Sequence, residues 1–194
     1  MHYLPEKNKM NKCLPLLLLA GMSCAVQAQD STETEHKIGI KYSRLDQTLS
    51  VSGFSGSDDD KGNVYGVEYT ALRPISDEET NKVKFGVNVA FDITTLDYDT
   101  SMEADLSMIT LAPVISYSPI DEIDIYAKGG FVSWDVDLPG ATSLSGIDFI
   151  YGLGITYQSP NGAYSGLELT QFEGQDDGIT LENTMASIKV GFKF

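Results

Sequence analysis

Val83–Ile93 reads VKFGVNVAFDI. Its odd positions are Val83, Phe85, Val87, Val89, Phe91 and Ile93; its even positions are Lys84, Gly86, Asn88, Ala90 and Asp92. Strict alternation is the signature of a strand, whose successive side chains point to opposite faces. Ile147–Tyr157 repeats it, setting Ile147, Phe149, Tyr151, Leu153, Ile155 and Tyr157 against Asp148, Ile150, Gly152, Gly154 and Thr156. Extending the pattern in both directions predicts eight strands, at 36–50, 63–73, 82–96, 104–118, 123–136, 146–158, 163–173 and 179–194. The expected fold class is all-β.

The connections alternate in character. Pro74–Asn81, Pro119–Glu122 and Ser159–Gly162 are compact, and the last carries an Asn-Gly turn signal. The stretches 52–62, 97–103, 137–146 and 173–178 are more open and polar. Short turns on one rim and longer loops on the other, with an even strand number, describe an eight-stranded antiparallel up-and-down barrel.

The two faces decide which solvent surrounds it. A soluble barrel hides its apolar face inside, whereas a membrane barrel turns that face to lipid. The non-apolar face carries Lys41, Glu68, Lys84, Asp92, Lys128, Glu168 and Lys189 among many Gly, Ser, Thr and Ala. An eight-stranded barrel has just enough interior for side chains to fill it. Long ionic groups bridging a glycine-lined lumen suit that space, so these seven residues are expected to form an interior charge network. The expected pairs join Lys84 or Lys128 to Glu68 or Glu168. Each segment is long enough to cross a bilayer, for which about 9–11 tilted residues suffice. A closed sheet also satisfies every backbone group there. Tyr69, Phe85, Tyr117, Tyr157, Phe192 and Phe194 fall toward the short-turn rim, and Tyr65, Phe91, Phe131 and Phe149 toward the loop rim, as two interfacial girdles would.

The beginning of the chain differs in kind. Lys7, Lys9 and Lys12 precede an apolar run, Leu14 to Met22, and Val26 and Ala28 occupy the small-residue positions before a cleavage. Residues 1–28 are expected to be a secretory signal peptide, cut after Ala28, with Met10 an alternative start. A lipid on Cys24 is the competing outcome; the Gly at position 21 argues against it. Residues 29–35 then form a short extension and 36–194 the barrel domain. The full chain has 13 Lys+Arg against 28 Asp+Glu, a net −15. Removing three Lys, one Glu and both cysteines of 1–28 leaves 10 against 27, or −17, with no thiol chemistry. Such a balance, with scattered basic residues, excludes nucleic acid as a partner.

The last segment, Thr184–Phe194 (TMASIKVGFKF), puts Ala186, Ile188, Val190, Phe192 and Phe194 on one face. It resembles the C-terminal strand recognised by the outer-membrane assembly machinery, with Phe192 and Phe194 as the assembly signal. Together with IYAKGG (125–130) and FIYGLGITY (149–157), the pattern over 36–194 resembles the small eight-stranded outer-membrane barrels of the OmpA-barrel, OmpX and opacity-protein porin family. That resemblance implies a Gram-negative outer membrane, contact with its lipid and lipopolysaccharide, a monomer, no cofactor, and an inward Lys128.

Three features strain the pattern. Pro113 cannot donate to a ladder, so a bulge is expected there. Trp134 shares the parity of Lys128, which calls for a position above the membrane or a face switch at Gly129–Gly130. Strand seven has Ser165 and Gln171 on its outward face.

Catalysis has little to work with. His2 leaves with the signal peptide and His36 starts the first strand, so a His-based serine hydrolase is excluded and no enzyme is expected. Asp58–Asp60, then Asp97, Asp99, Glu103 and Asp105, then Glu173, Asp176 and Asp177 make the loops acidic. Gly62 stands where a calcium loop needs its third ligand, so no metal site is expected and the acids read as solvated. Divalent bridging to lipopolysaccharide is the alternative role for them. The function expected is a non-enzymatic barrel that supports envelope integrity and displays acidic surface loops. The alternatives are a narrow channel for small or apolar solutes and a surface adhesin; a soluble lipocalin-like binder is the outsider.

Overall fold

The structure is a computed structural model and describes residues 34–51, 57–76, 82–98, 102–137, 143–176 and 179–194. The expected signal peptide, most of the expected 29–35 extension and the tips of the acidic loops lie outside the described residues. The strands are β1 (Glu35–Val51), β2 (Ser57–Pro74), β3 (Val83–Tyr98), β4 (Met102–Ile120), β5 (Ile123–Asp137), β6 (Leu144–Gln158), β7 (Ala163–Asp176) and β8 (Ile179–Lys193). Each pairs antiparallel with its neighbours in sequence, and β8 pairs with β1 to close the barrel.

The register fixes its dimensions. Paired residues run from Glu35 through Leu72, Gly86, Val114, Lys128, Gly152, Thr170 and Met185, and return to β1 at Leu45, ten residues further along. Eight strands with a shear of ten tilt by about 40° and leave a bore that side chains can fill.

The strands reach further on the loop side than the periodicity predicts. Asp58, Asp59 and Asp60 pair with Leu49, Thr48 and Gln47 inside the β1–β2 ladder, where the sequence suggests a loop. Asp97 and Tyr98 likewise pair with Glu103 and Met102. Once two strands are aligned, adding another ladder bond costs less than opening a loop, so the hairpins continue beyond the apolar band.

On the other rim the turns are tight. In the β6–β7 turn the Gly162 N–H donates to Ser159 O at 3.0 Å and the Ser159 N–H to Ala163 O at 2.7 Å. Gly162 has φ +86°, the left-handed conformation that a side chain disfavours.

Two expectations are corrected here. No bulge forms at Pro113. The β4–β5 ladder omits Ala112 and Pro113, yet Leu111↔Phe131 and Val114↔Lys128 keep one register, and the shift lies instead at Tyr117/Ile120. Gly130 explains this: a Cβ there would lie 2.2 Å from Leu111 O, so the bare backbone closes on β4 where proline offers no donor. Nor does β5 switch faces at Gly129–Gly130. Its pairing with β6 runs unbroken from Ile123↔Tyr157 to Val136↔Leu144, and Trp134 points inward, 2 % exposed.

Candidate functional site

The lumen is the part of the molecule where chemistry is concentrated, and it divides into three tiers. The lowest sits at the short-turn end. Lys37 Nζ lies 2.6 Å from Asp124 Oδ2 and 2.9 Å from Glu35 Oε1. Lys84 Nζ lies 2.8 Å from Glu35 Oε2 and 3.5 Å from Asp124 Oδ1. The Ser118 hydroxyl and the Gln158 amide also donate to Asp124. Lys84 therefore does not reach Glu68 or Glu168, as the sequence reading expects; opposite Pro74 and Ser116 it stands too near the rim.

The middle tier holds the other six predicted charges. Lys128 Nζ donates to Glu168 Oε1 at 2.9 Å and to Asn88 Oδ1 at 3.4 Å. Lys189 Nζ bridges Glu68 Oε1 at 3.0 Å and Glu168 Oε2 at 3.2 Å. Lys41 Nζ lies 2.8 Å from Asp92 Oδ2. The Tyr126 hydroxyl donates to Glu168 Oε2 at 2.8 Å, and Lys189 sits 4.7 Å from the centre of the Tyr126 ring. Three lysines thus face three carboxylates, all buried, and the tier is neutral. Glycine makes room for its long groups: a Cβ on Gly154 would meet the Tyr126 ring at 2.3 Å, and one on Gly66 would meet Asp92 Oδ1 at 1.9 Å.

The loop-side tier is apolar. Leu45, Val64, Leu96, Leu106, Met108, Val132, Trp134, Val136, Ile150, Phe172 and Met185 form one buried cluster. Trp134 is wedged between Gly146 and Gly174, where added Cβ atoms would lie 2.7 and 3.1 Å from its indole. Its indole N–H donates to Asp148 Oδ2 at 2.6 Å. Ser43 with Ser187 (2.7 Å) and Gln47 with Asn183 (2.8 Å) form polar pairs beside the plug.

Glu35, Lys37, Asp124 and the plug are not among the residues that the sequence pattern singles out. The signals were present. Lys37 shares parity with Lys41 and Asp124 with Lys128. The plug residues sit toward the loop side on the otherwise polar face, which also carries Leu72 and Val114 nearer the short turns.

Outside, the surface is apolar through the middle of every strand, with Ile40, Phe85, Leu111, Phe131, Leu153, Leu167 and Ile188 among the exposed side chains. Aromatic pairs border it. Tyr42 and Tyr65 (5.5 Å), Phe131 and Phe149 (6.2 Å), and Phe149 and Tyr151 (6.5 Å) stand toward the loops. His36 stacks on Tyr69 (6.0 Å) and on Phe194 (5.8 Å) at the opposite rim. Water tolerates no such belt on a monomer; lipid requires one.

The family model described as the outer membrane protein beta-barrel domain matches residues 16–194. The chain belongs to this family. It is an outer-membrane protein of the Gram-negative type, and its eight strands cross the bilayer. Solved structures share the fold. Ail, the attachment invasion locus protein of Yersinia pestis, is 15% identical, with 84% of this chain and 99% of that chain covered at a TM-score of 0.53. OprG from Pseudomonas aeruginosa is 11% identical, with 84% and 97% covered at 0.52. Neisserial surface protein A is 15% identical, with 80% and 97% covered at 0.50. Comparison with curated protein sequences finds no match.

In this outer-membrane barrel, Ser165 is exposed on the lipid side, while Gln171 is bonded to its neighbours. Gln171 accepts from the Tyr151 hydroxyl at 2.8 Å and donates to Thr184 at 3.1 Å, so strand seven's polar outward group is satisfied within the wall. Among the described residues no group of three or more His, Cys, Asp or Glu could hold a metal ion. His36, hydrogen-bonded to the Tyr69 hydroxyl at 2.6 Å, is engaged in closing the seam.

Proposed function

We propose that this protein is a non-enzymatic structural barrel of the outer membrane, which supports envelope integrity and displays acidic loops at the cell surface. The observation that carries the reading is the filled lumen. Two tiers of paired charge and an apolar plug occupy the bore. The interior cavity beside Lys37, Ser116, Thr156 and Tyr164 is about 30 Å³, room for one or two waters. A solute would have to break ion pairs in a low-dielectric interior to pass, at several kcal/mol for each. In this reading Phe192 and Phe194 are the signal read by the assembly machinery, the barrel is a monomer, and the surface acids are solvated.

Planar-bilayer recording tests it. Refolded protein should give no stable channel current, while a strain lacking it should become more sensitive to detergent and chelator. Steady conductance from the unmodified protein would overturn the reading.

One observation favours a second reading. The plug lines the loop-side mouth with apolar groups, which suits a gated passage for apolar solutes. Faster uptake of a small hydrocarbon into liposomes holding the barrel, relative to a variant with the plug cross-linked, would support that instead.

A further inference from the structure

We infer that the wall built by β6, β7, β8 and β1 carries a binding site for a phosphorylated, acylated lipid of the outer leaflet, the lipid A of lipopolysaccharide, with Arg44 as its phosphate ligand. The inference extends the proposed envelope role and depends on the loops facing outward.

A groove of about 590 Å³ runs along the outside of this wall. Its floor and sides are Leu153, Ile155, Leu167, Leu169, Ala186 and Ile188, and Tyr42 and Arg44 stand at its loop-side end. The groove has a simple origin. Leu153, Leu169, Ala186 and Arg44 are successive partners across four strands. Ala186 offers only a methyl among larger neighbours, and the hollow lies over it.

The loop-side end is cationic. Arg44 is exposed and donates from Nη1 to Asn63 Oδ1 at 3.1 Å, while the Tyr42 hydroxyl donates to the same oxygen at 2.8 Å. That bond holds the guanidinium against the wall and uses one of its five N–H groups. Lys61, the other outward cation on this half among the described residues, lies 3.6 Å from Asp46. Among the described residues no carboxylate makes an ion pair with Arg44. A guanidinium facing outward at a membrane boundary, with no internal anion, is matched to a phosphate.

Position chooses the leaflet. On β1 the outward residues run Ile38, Ile40, Tyr42, Arg44, Asp46, so the apolar band gives way to charge at Arg44. The groove descends from Arg44 toward the level of the middle charge tier. A lipid with its phosphate at Arg44 and a chain in the groove has its headgroup on the loop side. In this membrane the phosphorylated lipid of that side is lipid A.

Titration of the folded barrel in detergent with lipid A, followed by native mass spectrometry, tests the site. One lipid A per barrel is expected. Arg44→Gln should bind about tenfold more weakly, the loss of one charge-assisted contact, and Arg44→Lys should keep most of the affinity. Ala186→Leu, which fills the hollow, should weaken binding without altering heat-modifiable gel mobility. Lipid A stripped of its phosphates should bind as weakly to the unmodified protein as lipid A does to Arg44→Gln. Equal binding by Arg44→Gln and the unmodified protein would overturn the inference, as would phosphatidylglycerol binding as tightly as lipid A. Orientation is read separately, by labelling Ser145→Cys on intact cells with a membrane-impermeant maleimide. Absence of label would put Arg44 in the inner leaflet and overturn the choice of lipid A while leaving the packed-lumen reading intact.

Discussion

Glu168→Ala is the sharpest test of a lumen held by ion pairs. The Glu168 carboxylate accepts from Lys128 Nζ at 2.9 Å, Lys189 Nζ at 3.2 Å and the Tyr126 hydroxyl at 2.8 Å. Truncation leaves Lys128, among the described residues, only the side-chain amide oxygen of Asn88 at 3.4 Å, and turns a neutral tier into one with three lysines and two carboxylates. Removing one partner of a buried pair costs about 3–5 kcal/mol, because the other charge stays desolvated. Urea unfolding in lipid vesicles, followed through Trp134 fluorescence and gel mobility, should show a loss of that size. Replacing both members, as Lys128→Met with Glu168→Leu, removes the orphaned charge together with its partner. The double variant should recover most of the stability, and the difference from additivity reports the coupling. Channel current should stay near background throughout. A Glu168→Ala barrel that melts like the unmodified protein while passing a large, steady current would refute the packed-lumen argument.

Trp134→Ala removes the centre of the apolar plug and should cost about 3–5 kcal/mol by equilibrium unfolding; because the charge tiers remain, bilayer recording should show at most brief openings. Gly146→Val drives a side chain into the indole at a site where even a Cβ would lie 2.7 Å away; a loss of about 1–3 kcal/mol is expected, with a shifted Trp emission maximum. Gly66→Ala should break the Lys41–Asp92 contact and lower the midpoint of urea unfolding, an effect that Asp92→Asn should reduce in combination. Phe194→Ala should slow insertion by purified assembly machinery several-fold while leaving spontaneous refolding into thin bilayers nearly unchanged; equal slowing of both would show a defect in the strand and not in recognition.

Alternation in Val83–Ile93 and Ile147–Tyr157 is enough to set strand parity, and parity alone sends Lys41, Glu68, Asp92, Lys128, Glu168 and Lys189 to one side. Height along the axis is harder to read, because it depends on the register between strands. That is why Lys84 looks like a partner for Glu68 until the ladders place it beside Glu35 and Asp124. The plug is hidden for a related reason. Leu45, Leu106, Val132 and Ile150 each look like an isolated exception on a polar face, and only the shear brings them to one level. Pro113 shows a third limit: a missing donor can be absorbed by a bare backbone on the neighbouring strand, which no single-strand pattern displays. The Arg44 groove depends on four strands meeting in one row and has no signature within any one of them.

His36 and Phe194 exchange two backbone hydrogen bonds, at 3.0 and 2.9 Å, as residues flanking a hairpin turn do. The sheet is therefore a ring whose opening between β8 and β1 is a matter of genetics more than of architecture. A short linker could join these two residues and new ends could be cut at an outer loop, giving a permuted gene whose product keeps the same circle of strands.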